Sequence, residues 1–135
     1  MKTFFLLFFA LFYSSLTSGQ VLNVNCSVLD AIAKHKGIFE LKENKQDKNI
    51  LVDTFRFFTP ECSGLHGAQE IEVLNQKPVL KEIKSNIFYV TYVSTDNNTL
   101  IVTIIQKLSN HLVSYHVSIR GKKITVVKTS SGDLD

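Results

Sequence analysis

Beyond Pro78 the sequence settles into a period of two, and this repeat restricts the possible folds more than any other feature of the chain. Residues 80–84, 86–94, 99–107, 112–120 and 123–129 each read as a strand, rich in Val, Ile, Thr, Tyr and Phe and bounded by turn-forming residues. The clearest breaks are Asp96-Asn97-Asn98 and Arg120-Gly121-Lys122. Connections this short make adjacent strands antiparallel, so the second half is expected to be a curved meander. Within it, Leu100-Ile101-Val102-Thr103-Ile104-Ile105 is apolar at both alternating sets of positions, so neither face of this strand expects water. The first half of the chain can cover one face. The other face is left to a second copy of the chain or to the curl of the sheet itself, which makes a homodimer through the sheet one of two expectations.

The first half leans toward helix. From Asn25 onward, Val28, Leu29, Ile32 and Ala33 share one helical face, and Gly37 supplies the stop. Residues 38–41 read as a further turn or a short strand, and residues 40–48 as a charged surface loop or helix end. Residues 53–58 are β-branched and aromatic and read as a strand ended by Thr59-Pro60-Glu61. Residues 63–67 read as a turn. Residues 68–76 place Ile71, Val73 and Leu74 on a short helix that Pro78 forbids from continuing. The expected fold class is α+β, with N-terminal helices packed on a curved antiparallel sheet.

The N-terminus addresses the compartment. Lys2 is followed by a run of Phe, Leu, Ala and Tyr from Phe4 to Tyr13, and the small residues Thr17 and Gly19 suit a cleavage site before Gln20. Residues 1–19 are therefore expected to be a signal peptide and residues 20–135 a single domain, secreted and extracellular. No later apolar run approaches the ~18 residues of a membrane span, so no membrane association is expected after signal removal. In an oxidising compartment Cys26 and Cys62 should pair as a disulfide. Neither has a second Cys or His at ligand spacing, so no metal site is expected. Asn25-Cys26-Ser27 and Asn97-Asn98-Thr99 are glycosylation sequons, and Asn97, in a polar turn, is the better acceptor. The 15 Lys and Arg against 12 Asp and Glu are scattered, and Arg120-Gly121-Lys122-Lys123 reads as a solvated hairpin tip. Without a basic face carrying exposed aromatics, nucleic acid is not an expected partner.

Two stretches bear a family resemblance. Asp53-Thr54-Phe55-Arg56-Phe57-Phe58, then Cys62-Ser63-Gly64, then residues 68–74 and Pro78, resemble the pattern of secreted nematode members of the nuclear transport factor 2-like family. Residues 115–128, with a glycine turn at Gly121, are similar to that family's final hairpin, so the resemblance spans about residues 24–131. It implies a cone-shaped shell around an apolar pocket, an architecture shared by isomerases, dehydratases and binding modules, so the fold alone does not select a function.

An isomerase of this kind needs an Asp base and a Tyr or protonated Asp as oxyanion donor, for which Asp53, Tyr89, Tyr92 and Tyr115 are the candidates. A dehydratase needs an Asp and a His facing one cavity, and His116 is the strand histidine that qualifies. Each has a plainer explanation: Asp53 at a solvent-facing strand start, the tyrosines as core, His116 as a polar edge or a satisfied core group. No nucleophile elbow, phosphate loop or zinc-protease box occurs, so no catalytic residue and no cofactor is assigned. The favoured reading is non-enzymatic binding of a small apolar ligand or of a protein partner, with Phe55, Phe57, Tyr89, Ile101 and Tyr115 as the lining set. A lipocalin-like extracellular carrier and a pocket enzyme are the alternatives, and a purely structural dimerising domain is a further one. Carriers predict an enclosed apolar cavity, and the structural domain predicts a filled one.

Overall fold

The computed structural model describes residues 24–35, 37–40, 48–78, 86–107 and 109–134. The signal peptide expected at residues 1–19, residues 41–47 and the strand expected at 80–84 lie outside the described residues. Helix α1 covers residues 24–34, and a 3-10 turn follows at Ile38–Glu40. Seven strands come next: β1 Asn49–Val52, β2 Gly64–His66, β3 Gln69–Leu74, β4 Asn86–Asp96, β5 Thr99–Gln106, β6 His111–Arg120 and β7 Lys123–Asp133. They form one curled sheet in the order β2-β3-β1-β4-β5-β6-β7, so the fold is α+β with one helix among the described residues.

The meander from β4 to β7 follows the period of two. Each strand pairs antiparallel with the next through a two-residue loop or a short turn. Asn97 (φ 51°) and Gly121 (φ 62°) supply the left-handed backbone that the tight loops need. Two bulges interrupt the register. Thr91 is the extra residue between the pairs Val90↔Ile104 and Tyr92↔Thr103, and Val127 is the extra residue between His116↔Lys128 and Val117↔Val126. The second bulge lies on the edge strand β7, where it and Lys123 and Lys128 blunt an otherwise continuous row of unpaired backbone groups.

The first half departs from its expectation in three places. The strand lies at Asn49–Val52, not at residues 53–58: β1 pairs parallel with both β3 and β4 and is buried on both faces, as a central parallel strand must be. Residues 63–67 contain strand β2, and residues 68–76 hold strand β3 in place of a helix. In Glu70-Ile71-Glu72-Val73 the apolar side chains recur at i, i+2, and Ile71 and Val73 are the buried ones. Gly67, at φ 61°, opens the two-residue loop that folds β2 onto β3, a conformation closed to most L side chains. The expected plurality of N-terminal helices thus reduces, among the described residues, to α1 and two 3-10 turns.

Helix α1 packs through the expected face, with Val28, Leu29 and Ile32 fully buried and Ala33 nearly so. They meet Leu100, Val102, Ile104, Val113, Tyr115 and Val117 of β5 and β6 in one hydrophobic cluster. Each fully buried aliphatic side chain there contributes roughly 1.5–3 kcal/mol of transfer free energy. The disulfide Cys26–Cys62 ties α1 to the 3-10 turn Pro60–Cys62 across a sequence separation of 36, worth about 4 kcal/mol in the chain-entropy account. His66 adds a second tie. Its Nε2 lies 2.6 Å from the Cys62 carbonyl, to which it donates, and its Nδ1 lies 3.4 Å from the Asp30 carboxylate on α1.

Candidate functional site

Strand alternation divides the sheet into a face covered by α1 and a face that no described element covers. On β5 the residues Leu100, Val102 and Ile104 are buried beneath the helix, whereas Ile101, Thr103 and Ile105 are only half-buried on the other side. Pairing carries this second face across the sheet: Ile105 lies opposite Tyr89 and Leu112, Thr103 opposite Tyr92 and Ser114, and Ile101 opposite Ser94 and His116. The Thr103 and Ser114 hydroxyls share a 2.7 Å hydrogen bond there. Tyr89 and Tyr92 are three residues apart, which strict alternation would send to opposite faces. The bulge at Thr91 brings both to the open face.

A groove of about 680 Å³ lies on this open face. Its apolar surface comes from Val52, Phe55, Pro78, Tyr89, Val90 and Ile105, with Thr54, Thr91 and Asn110 as polar neighbours and Lys77 and Lys107 as the charged ones. Three local features shape it. β1 ends at Val52 while β4 continues, the bulge at Thr91 turns an extra side chain outward, and Asn110 (φ 55°) bends the β5–β6 turn. The Lys107 ammonium stands 5.7 Å from the centre of the Tyr89 ring, within cation–π range.

Of the five residues expected to line a pocket, Phe55 and Tyr89 line this groove. Ile101 shares the open face without lining the groove, and Phe57 packs edge-on against Phe58 beside the core. Tyr115 is on the opposite, helix-covered face and fully buried. Its hydroxyl accepts a 2.9 Å hydrogen bond from the Ile38 N–H, and burial pushes its pKa up to about 12. Gly37 permits this approach, because a Cβ there would stand 2.5 Å from the Tyr115 hydroxyl.

The candidate acid-base groups are placed as follows. Asp53, expected to face solvent, is fully buried. Its two carboxylate oxygens accept hydrogen bonds from the Phe55 N–H at 2.9 Å and the Phe58 N–H at 2.7 Å, holding residues 53–58 as a turn. Asn75 completes that turn by donating through Nδ2 to the Asp53 and Phe58 carbonyls, both at 2.8 Å. Burial raises the Asp53 carboxyl above its ordinary pKa, outweighing the backbone amides that act to lower it. With both oxygens engaged inside the turn, Asp53 acts as a structural brace. His116 is half-buried on the open face, and His111 Nδ1 contacts the Asp133 carboxylate at 2.6 Å on the edge strand pair.

The two sequon asparagines differ. Asn97 is exposed at the tip of the β4–β5 loop, while the Asn25 Nδ2 donates to the Phe57 carbonyl at 2.9 Å. Among the described residues no cluster of His, Cys, Asp and Glu is arranged to hold a metal, and no helix is long and apolar enough to cross a membrane.

Fold and site together define a disulfide-tied α+β domain with a hydrophobic core between helix and sheet and an amphipathic groove on its uncovered sheet face. Comparison with known proteins adds no relative: no family model, no curated protein and no solved structure matches the chain. The groove residues missed by sequence reasoning, Val52, Lys77, Thr91, Ile105 and Lys107 among them, come from four separate stretches of the chain. The hairpin at Asn97 alone would pair Tyr89 with Gln106; the bulge at Thr91, which carries no sequence signal of its own, shifts it to Ile105.

Proposed function

We propose that this chain is a secreted, non-enzymatic binding domain that takes a small molecule with an apolar body into the groove on its open sheet face. The observation that carries the reading is a groove floored by Val52, Tyr89 and Ile105 on the face the helix leaves uncovered. The disulfide supports an oxidising compartment, and the exposed Asn97 suits a glycan acceptor. A helix on one side of a curled antiparallel meander supports the nuclear transport factor 2-like relationship as part of this proposal. The hydrophobic cluster between helix and sheet and the groove on the other side support a site on the face opposite to the one that relationship implies.

The test is fluorescence titration with N-phenyl-1-naphthylamine, a neutral apolar probe that brightens when it leaves water. The wild-type chain should bind it, and Ile105→Asp should weaken binding by about tenfold or more, because a charge placed in an apolar site must be desolvated. Circular dichroism checks that the variant keeps its fold. Equal binding by Ile105→Asp would place the site elsewhere. A homodimer through the same face is the second reading, favoured by Tyr92, 52% exposed on that face. A twofold mass in light scattering, with the probe excluded, would select it.

A further inference from the structure

The groove holds charge of one sign. Lys77 and Lys107 line it, and no Asp or Glu is among its described lining residues. Elsewhere two lysines stand beside carboxylates, Lys34 at 2.7 Å from Asp30 and Lys48 at 3.9 Å from Glu72 and 4.0 Å from Glu70, while Lys122, Lys123 and Lys128 at the far hairpin and edge strand have no such pair among the described residues. No such pair involves Lys77 or Lys107 among the described residues. The electron-rich face of Tyr89 near Lys107 stabilises an ammonium without neutralising it. An occupant that fits must therefore offer apolar surface to Val52, Phe55, Pro78 and Ile105 and negative charge to two ammonium groups. A neutral hydrocarbon satisfies only the first requirement, and a small inorganic anion only the second.

From this charge complementarity we propose that the groove binds a free anionic amphiphile, a carboxylate carrying an alkyl or aromatic tail, with Lys77 and Lys107 receiving the head group. The proposal rests on the groove reading above and adds to it the sign of the ligand's charge. Long flexible lysines suit the task, since their stems extend the apolar wall while the ammonium stays near water. The attraction is to a partly solvated charge, so it should weaken as salt rises past the Debye regime of about 0.1 M.

The experiment displaces N-phenyl-1-naphthylamine with decanoate and, separately, with 1-decanol, on the wild type, Lys77→Met, Lys107→Met and the double variant. Methionine keeps the length of the stem and removes only the charge, and both positions are exposed, so folding is unaffected. The quantity read is the ratio of decanoate to decanol affinity, which cancels effects on the apolar wall. It should fall by about three- to fivefold for each single variant and by about tenfold for the double one, the scale of exposed charge pairs. An unchanged ratio with both competitors still displacing the probe would overturn the anionic head group and leave the groove reading intact. Displacement by neither would overturn both. Cosedimentation with phosphatidylglycerol vesicles, lost in the double variant while free decanoate fails to displace the probe, would overturn the free ligand in favour of a membrane surface.

Discussion

The two faces of β5 differ although their residues alternate along a single strand. Leu100, Val102 and Ile104 are at most 2% exposed beneath α1, while Ile101, Thr103 and Ile105, each one residue away, stay half-buried with no described element above them. Similar apolar character therefore serves two ends. On the covered face it supplies packing, locked by Tyr115 to Ile38 and by the disulfide from α1. On the open face it provides a surface interrupted by hydroxyls, a histidine and lysines, which can be wetted and can bind.

The largest expected effect breaks the covered face at its anchor. Replacing both Cys26 and Cys62 by Ser should lower the unfolding free energy by about 4 kcal/mol, read from urea denaturation of the oxidised wild type against the variant. Next comes a paired substitution that isolates the comparison itself. Ile104→Ala should cost about 3 kcal/mol through loss of a buried side chain and a residual cavity, whereas Ile105→Ala should cost under about 1 kcal/mol. Equal losses would mean that the two faces are packed alike. A smaller effect than that of Ile104→Ala comes from Tyr115→Phe, which leaves the Ile38 N–H without its acceptor and should cost about 1–2 kcal/mol. The same hydroxyl gives a pH signature. Its folded pKa is raised from 10.0 to about 12, so the stability it contributes is complete below pH 10 and is lost as pH rises through about 12. The alkaline fall in wild-type stability should be smaller in Tyr115→Phe.

The meander was legible because each of its strands carries a period of two and each loop carries Asn or Gly where the backbone turns left-handed. Helix α1 was legible through Val28, Leu29, Ile32 and Ala33, and the disulfide through the presence of two cysteines in a chain expected to be exported. The parallel strand β1 was obscured because it is only four residues long and buried on both faces, so it shows no alternation, leaving the neighbouring aromatic run at 53–58 as the stronger β signal. That run is held as a turn by a carboxylate, with Arg56 at φ 61°, a tertiary choice that propensity does not encode. β3 was misread because a six-residue strand with charges between apolar residues also fits a short helix. In the site, Phe55 and Tyr89 were accessible as aromatic positions, but the lysines became neighbours of the groove only through strand pairing and turn geometry.

The central claim is that ligand enters on the open face of the sheet. The direct measurement is methyl and aromatic NMR of the mature chain titrated with decanoate. Shifts should concentrate at Val52, Tyr89 and Ile105, with Val102, Ile104 and Tyr115 unmoved. Shifts centred on Val102, Ile104 and Tyr115 would place the ligand between helix and sheet and contradict the account.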